Sequence, residues 1–274
     1  MRKQTAYILA SLFVSVSALS AEGESTMQEI QCEIKPISRS KIHPKGVAFA
    51  TTSPTMDSVS SNWSGYVAGT SLDGSASANN TVTYAAGEWV IPTLLPTSEG
   101  TYSAIWVGID GYMSGTVEQI GTSHNWINGA QQNYAWFEMY PNGAYEINGF
   151  PVNNGDIISA RVAYKDNGVF KLVMFNHTKG VSTTIPSTYT TSSTVARSCA
   201  EWIVEAPYSG SILPLADFQT VTFNYCSAII NGVHGVINNG AWVNDQITMQ
   251  GSSGVIAQPT NLLKKGDCFQ VAWK

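Results

Sequence analysis

Along most of the chain, apolar and polar residues alternate in short runs rich in Val, Ile, Thr, Tyr and Trp. These runs predict strands at 81–90, 102–109, 116–121, 133–140, 157–164, 169–175, 200–204, 220–225 and 268–273. Turn-forming residues separate most of them, as in Asn79-Asn80, Asp110-Gly111, Pro141-Asn142-Gly143, Asn153-Asn154-Gly155-Asp156 and Asp166-Asn167-Gly168. No stretch sustains a helical apolar period for three turns, although 213–218 fits one short helix. Many short strands without crossover helices predict an all-β fold: a two-sheet antiparallel β-sandwich of jelly-roll or concanavalin-like kind.

The first residues break this pattern. Arg2 and Lys3 precede an apolar run from Ala6 to Ala18, and the small residues Ala18 and Ser20 follow at the spacing a signal peptidase reads. That run is shorter than the ~20 residues a membrane span needs. Residues 1–20 are therefore expected to be a signal peptide, cleaved near Ala21, which implies a protein secreted to the outside or to a periplasm, with no membrane association afterwards. Residues 21–57, rich in Ser, Thr and Pro, read as a leader or pro-segment, and 58–274 as the β-sandwich domain.

Composition narrows the function classes. Charged residues make up 12% of the chain and aromatics 11%, too few charges and too many rings for a disordered chain. From Ser61 onward there are 8 lysines and arginines against 14 aspartates and glutamates, which argues against nucleic acid as a partner. The leader is basic, with Lys35, Arg39, Lys41 and Lys45 against Glu33. Such a segment could dock in cis on an acidic domain and later be removed, or it could be a solvated tail. The cysteines Cys32, Cys199, Cys226 and Cys268 lack zinc-type spacing. They allow three full disulfide pairings, among which the sequence does not choose.

Three segments carry candidate chemistry. In 133–140, alternation places Tyr134, Trp136, Glu138 and Tyr140 on one strand face, an aromatic wall holding one carboxylate, while Ala135, Phe137 and Met139 suit a core. In 199–205, Glu201, Ile203 and Glu205 share a face. Glu201 on so apolar a strand is either a surface residue or a carboxyl held for acid–base work. The third segment runs from Trp106 to Asp110-Gly111 and on to Gln119, whose amide both donates and accepts hydrogen bonds without titrating.

Four separated motifs in this order resemble the glutamic peptidase (eqolisin) family. They are Ser61-Asn62-Trp63-Ser64-Gly65; Trp106-Val107-Gly108-Ile109-Asp110-Gly111 with Gln119-Ile120-Gly121; Ala135-Trp136-Phe137-Glu138-Met139-Tyr140-Pro141; and Ala200-Glu201-Trp202-Ile203-Val204-Glu205. The resemblance covers most of 61–225. It implies Gln119 and Glu201 as the catalytic pair, with Trp63, Trp106, Asp110, Trp136, Glu138 and Tyr140 at substrate-binding or supporting positions. Two departures stand out: Tyr134, where fungal members commonly have Asp, and extra residues around 123–131, which lengthen the turn after Gln119.

The resemblance further implies a monomeric acid endopeptidase acting on polypeptide substrates, with no metal or other cofactor required. Glu201, ionised at rest, would take a proton from water while Gln119 donates to the oxyanion. Two rivals remain: a jelly-roll glycosidase using Glu138 and Glu201 as paired carboxylates, and a lectin-like module using only the aromatic wall. Neither needs Gln119. The four histidines form no HExxH, and neither a GxSxG elbow nor an aspartic-peptidase Asp-Thr/Ser-Gly signature is present.

Overall fold

The computed structural model describes residues 27–37, 57–98, 100–191, 194–263 and 265–274. The expected signal peptide, together with Arg39, Lys41, His43 and Lys45, lies outside the described residues. Among the described residues, eighteen strands follow in chain order. The first six are β1 (Gln28–Glu29), β2 (Glu33–Pro36), β3 (Asp57–Ser60), β4 (Trp63–Gly69), β5 (Val82–Val90) and β6 (Thr101–Ile109). Then come β7 (Val117–Ile127), β8 (Ala130–Tyr140), β9 (Tyr145–Asn148), β10 (Ile157–Asp166), β11 (Val169–Asn176) and β12 (Val181–Thr184). The last are β13 (Cys199–Glu205), β14 (Thr220–Ile230), β15 (Val233–Val236), β16 (Val243–Gly251), β17 (Gly254–Pro259) and β18 (Phe269–Trp273).

Pairing divides them into two layers. The front sheet runs β2–β9–β8–β7–β6–β13–β4–β16–β3. The back sheet runs β17–β18–β14–β5–β10–β11–β12–β1, with β15 hairpinned onto β14. The β16–β17 hairpin joins the layers at one edge. All pairs are antiparallel except β16–β3 and β1–β12, so the expected sandwich forms with two parallel pairs at its margins.

Alternation explains the packing. Ile105, Val107, Ile120, Phe137, Ala200 and Trp202 of the front sheet meet Trp89, Ile158, Val162, Leu172, Met174 and Phe223 of the back sheet in the main core. The opposite face of the front sheet carries a second buried cluster that includes Trp63, Val67, Trp106, Trp136, Cys199 and Ile203. That second face holds the candidate chemistry.

Two sequence expectations fail. Residues 213–218 form no helix; they run extended, bridging Leu215 to Tyr102 and Asp217 to Leu95, so their apolar residues satisfy a sheet margin. The only helical element among the described residues is the single 3-10 turn Ala76–Ala78. The extra residues at 123–131 do not loop out either. They extend β7 and β8 in register to a turn at Asn128-Gly129, so the insertion lengthens a hairpin. Among the described residues no helix is long and apolar enough to cross a membrane.

Candidate active site

Register brings the sequence candidates together. On the second face of the front sheet, Asp245 pairs with Val67, Val67 with Glu201, Glu201 with Gly108, Gly108 with Gln119, and Gln119 with Glu138. Directly paired residues project to the same side, so this row carries three carboxyl groups and one amide. Glu201 and Gln119 flank Gly108, with about 10 Å between their backbones, two inter-strand spacings. Gly108 leaves the space between them open. A Cβ there would stand 3.0 Å from the Trp106 ring and 3.2 Å from Gln119 Cβ.

Each polar member is held. Gln119 Nε2 donates to Glu138 Oε2 at 2.9 Å, while Gln119 Oε1 has no hydrogen-bond partner. The second hydrogen on Nε2 is free to act elsewhere. Glu201 Oε1 accepts from the Cys199 thiol at 3.4 Å, and its Oε2 has no hydrogen-bond partner. Gly111, at φ +116°, passes over this carboxyl; a Cβ would lie 3.3 Å from Glu201 Oε2 and 2.9 Å from Trp63. A side chain at position 111 would therefore crowd both groups.

Asp110 is fully enclosed. Its buried carboxylate accepts from the backbone N–H groups of Arg197 and Ser198, from the Ser198 hydroxyl at 2.9 Å and from Thr116 Oγ1 at 3.3 Å. It thus ties the turn after β6 to the residues entering β13, which carries Glu201. The tryptophans have their own anchor. Trp106 Nε1 donates to Glu205 Oε2 at 2.9 Å, Asn62 Nδ2 donates to Glu205 Oε1 at 3.2 Å, and Trp63 packs edge-on against Trp106 at 5.1 Å. Tyr140, half-buried opposite Val117, packs against the same cluster as Tyr134 does.

Sequence reasoning passed over several of these roles. Glu205 appeared only as a face-mate of Glu201, and its burial makes it an anchor for both Trp106 and Asn62. Cys199 follows from the same alternation, being two residues before Glu201. Gly108 becomes meaningful only through register. Tyr112, whose hydroxyl donates to Asp245 at 2.6 Å, gives no sequence signal. The four cysteines are free thiols.

Burial sets the electrostatics. Glu201 and Gln119 are essentially fully enclosed, which removes the surface-glutamate alternative. Desolvation, with Asp110 and Glu205 nearby, pushes Glu201 well above the usual carboxylate range, against the donors Cys199 S–H and Tyr112 N–H. The enclosed site therefore favours protonated Glu201. Dry burial thus opposes the ionised resting carboxylate that the resemblance implies. Burial also raises Glu205 to about 8, and Glu118, on β7, stands well above its usual value.

This geometry agrees with a family comparison. The Peptidase A4 family model matches residues 61–266, three quarters of the chain. The chain belongs to the Peptidase A4 family. It is 29% identical to aspergillopepsin-2 of Aspergillus niger over 199 residues, covering 65% of this chain and 67% of that one. It is 26% identical to scytalidopepsin B of Scytalidium lignicola over 245 residues, 85% and 86% of the two chains. Among solved structures, scytalido-glutamic peptidase with a transition-state-analogue inhibitor superposes with a TM-score of 0.65 at 19% identity, covering 78% of this chain and 98% of that one. Aspergilloglutamic peptidase from Aspergillus niger gives 0.57 at 26% identity, covering 64% and 99%. The Peptidase A4 member described here is a glutamic endopeptidase, and both rival readings give way to the peptidase.

Proposed function

We propose that this peptidase is a secreted acid endopeptidase in which Glu201 and Gln119 activate a water molecule against the peptide bond of a polypeptide substrate. The observation that carries the reading is their placement on either side of Gly108, in one register row of one sheet face. Hydrating the opened site relieves the desolvation of Glu201 and lets it ionise. The carboxylate then takes one proton from water as the water oxygen bonds to the scissile carbonyl carbon. Gln119 Nε2 donates its second hydrogen to the developing oxyanion, a contact worth about 3 kcal/mol in sites of this kind. Glu201 returns the proton to the amide nitrogen as the C–N bond breaks, releasing an acid and an amine and restoring the carboxylate. Trp63, Trp106, Trp136 and Tyr140 supply the wall against which an extended peptide lies, and Glu138 and Asp110 position the dyad.

Residues 21–57 act as a pro-segment in this reading. Contacts made by its described portion support this. β2 adds to the β9 edge, the Ile37 N–H donates to Ala144 O at 3.0 Å, and Ile37 packs against the cluster containing Trp63, Trp106 and Trp136. Lys35 pairs with its own neighbour Glu33 at 3.0 Å, so strand addition and apolar contact, rather than Lys35, hold this part.

The test is digestion of an acid-denatured protein by the protein freed of residues 1–57. Cleavage at acid pH that persists with an aspartic-peptidase inhibitor supports the reading. Loss of activity with that inhibitor, or cleavage confined to neutral pH, defeats it.

A further inference from the structure

The Glu201 carboxyl has two unequal oxygens. Cys199 precedes it by two residues on β13, so the thiol and the carboxyl share a face. The thiol donates to Oε1 at 3.4 Å, whereas Oε2 has no hydrogen-bond partner and lies toward the turn at Gly111. The backbone that presents the thiol is itself clamped, since Asp110 accepts from the N–H groups of Arg197 and Ser198 just before it. Burial drives the Cys199 thiol well above its usual range, so it remains a neutral S–H donor at every pH where an acid peptidase works.

We propose that Cys199 is a positioning residue for the hydrolytic carboxyl: its thiol holds Glu201 Oε1 and thereby reserves Oε2 for the water. The proposal rests on the dyad reading above and adds a residue to it. The surroundings make the donor consequential. Asp110 on the turn after β6, Glu118 on β7 and Glu205 on β13 all disfavour a charge on Glu201. Asp245 on β16 is engaged by the Tyr112 hydroxyl, and Glu138 on β8 by Gln119. β4 faces the carboxyl with Val67, which does not titrate. Against these acidic neighbours the Cys199 S–H and the Tyr112 N–H favour the ionised form, and the Arg197 cation acts in the same direction on the neighbouring Glu118. A cavity of about 160 Å³, bordered by Leu72, Tyr112, Met113 and Cys199, leaves room for side chains of altered shape at position 199.

The experiment measures kcat/KM against pH on an unstructured peptide, using the protein freed of residues 1–57. Wild type is compared with Cys199→Ser, Cys199→Ala and Cys199→Val, with Glu201→Gln as the reference. Loss of the donor in the Ala and Val variants moves the acidic limb up by about half a pH unit or more, mainly through kcat. Serine keeps a donor, and a stronger one, so its limb moves to lower pH. A limb that stays at the wild-type position in Cys199→Ala, with Glu201→Gln inactive, overturns the positioning role and leaves the dyad standing. Activity in Glu201→Gln overturns the dyad instead. Should the apolar variants fail to fold, the serine variant decides alone: an unmoved or raised limb overturns the proposal.

Discussion

Gln119 and Glu138 face each other across the β7–β8 ladder, and the Gln119 amide nitrogen donates to Glu138 Oε2 at 2.9 Å. A glutamine amide can rotate, and in the dyad account this bond fixes which end would meet the substrate. The Glu138→Ala variant is therefore expected to lose about 10²-fold in kcat with little change in KM, since misplacement of a catalytic group by about 1 Å costs that much. The Glu138→Gln variant keeps an acceptor oxygen and loses less. Steady-state kinetics on one peptide checks the order; equal losses in both variants contradict it.

Glu205 carries the tryptophan wall. Its replacement by Ala leaves Trp106 Nε1 and Asn62 Nδ2 buried without their acceptor. The expected cost is about 2–4 kcal/mol in urea unfolding, against a smaller loss in Glu205→Gln, which retains one acceptor oxygen.

Stability depends on pH in a direction the buried acids decide. Glu205 is raised from 4.5 to about 8, and Glu118, Glu201, Asp110 and Asp245 are raised as well. Each binds its proton more tightly folded than unfolded. Its stabilisation is complete below the unfolded value and is lost as pH rises through the folded one, at about 1.4 kcal/mol per pH unit per group while it lasts. His124 opposes this. Burial lowers it from 6.5 to about 4, so its contribution is lost as pH falls through that window. Glu205, at about 8, with Glu118 and Glu201 held well above their usual value, outweighs the one histidine, and urea midpoints are expected to fall from pH 5 to pH 8. A midpoint that rises over that range contradicts the assignment.

Much of this architecture was legible, for a definite reason. Strands such as β6, β8, β10 and β11 combine aromatic or β-branched residues with flanking turn dipeptides, so pattern alone finds them. β16 is rich in polar Asn, Asp and Gln, β17 begins on Gly and ends on Pro, and β2 and β9 are four residues each at the sheet margin. Such segments become strands because a partner satisfies their backbone, which no local pattern shows. The site divides the same way. Alternation placed Glu201 and Glu205 on one face, but only register shows Gly108 standing between Glu201 and Gln119. The role of Asp110 depends on Arg197 and Ser198, more than eighty residues later in the chain. A sequence pattern that identifies Asp110 cannot tell a groove residue from a clamp.

The leader contacts give a maturation prediction. With Ile37 on the tryptophan cluster and Glu201 enclosed, the chain retaining residues 21–57 is expected to be at least about tenfold less active than the chain beginning at Ser58, a difference of about 1.4 kcal/mol. An Ile37→Asp substitution in the longer chain is expected to recover part of the difference. Equal kcat/KM for the two lengths contradicts the pro-segment reading.

The central claim concerns Glu201 and Gln119 as a pair, and peptide hydrolysis by their variants tests it most directly. Glu201→Gln and Gln119→Ala, each shown by circular dichroism and urea unfolding to keep the fold, are assayed on a denatured protein at acid pH. The dyad account predicts that Glu201→Gln is inactive and that Gln119→Ala loses at least about 10²-fold in kcat. Wild-type cleavage by either variant would contradict it.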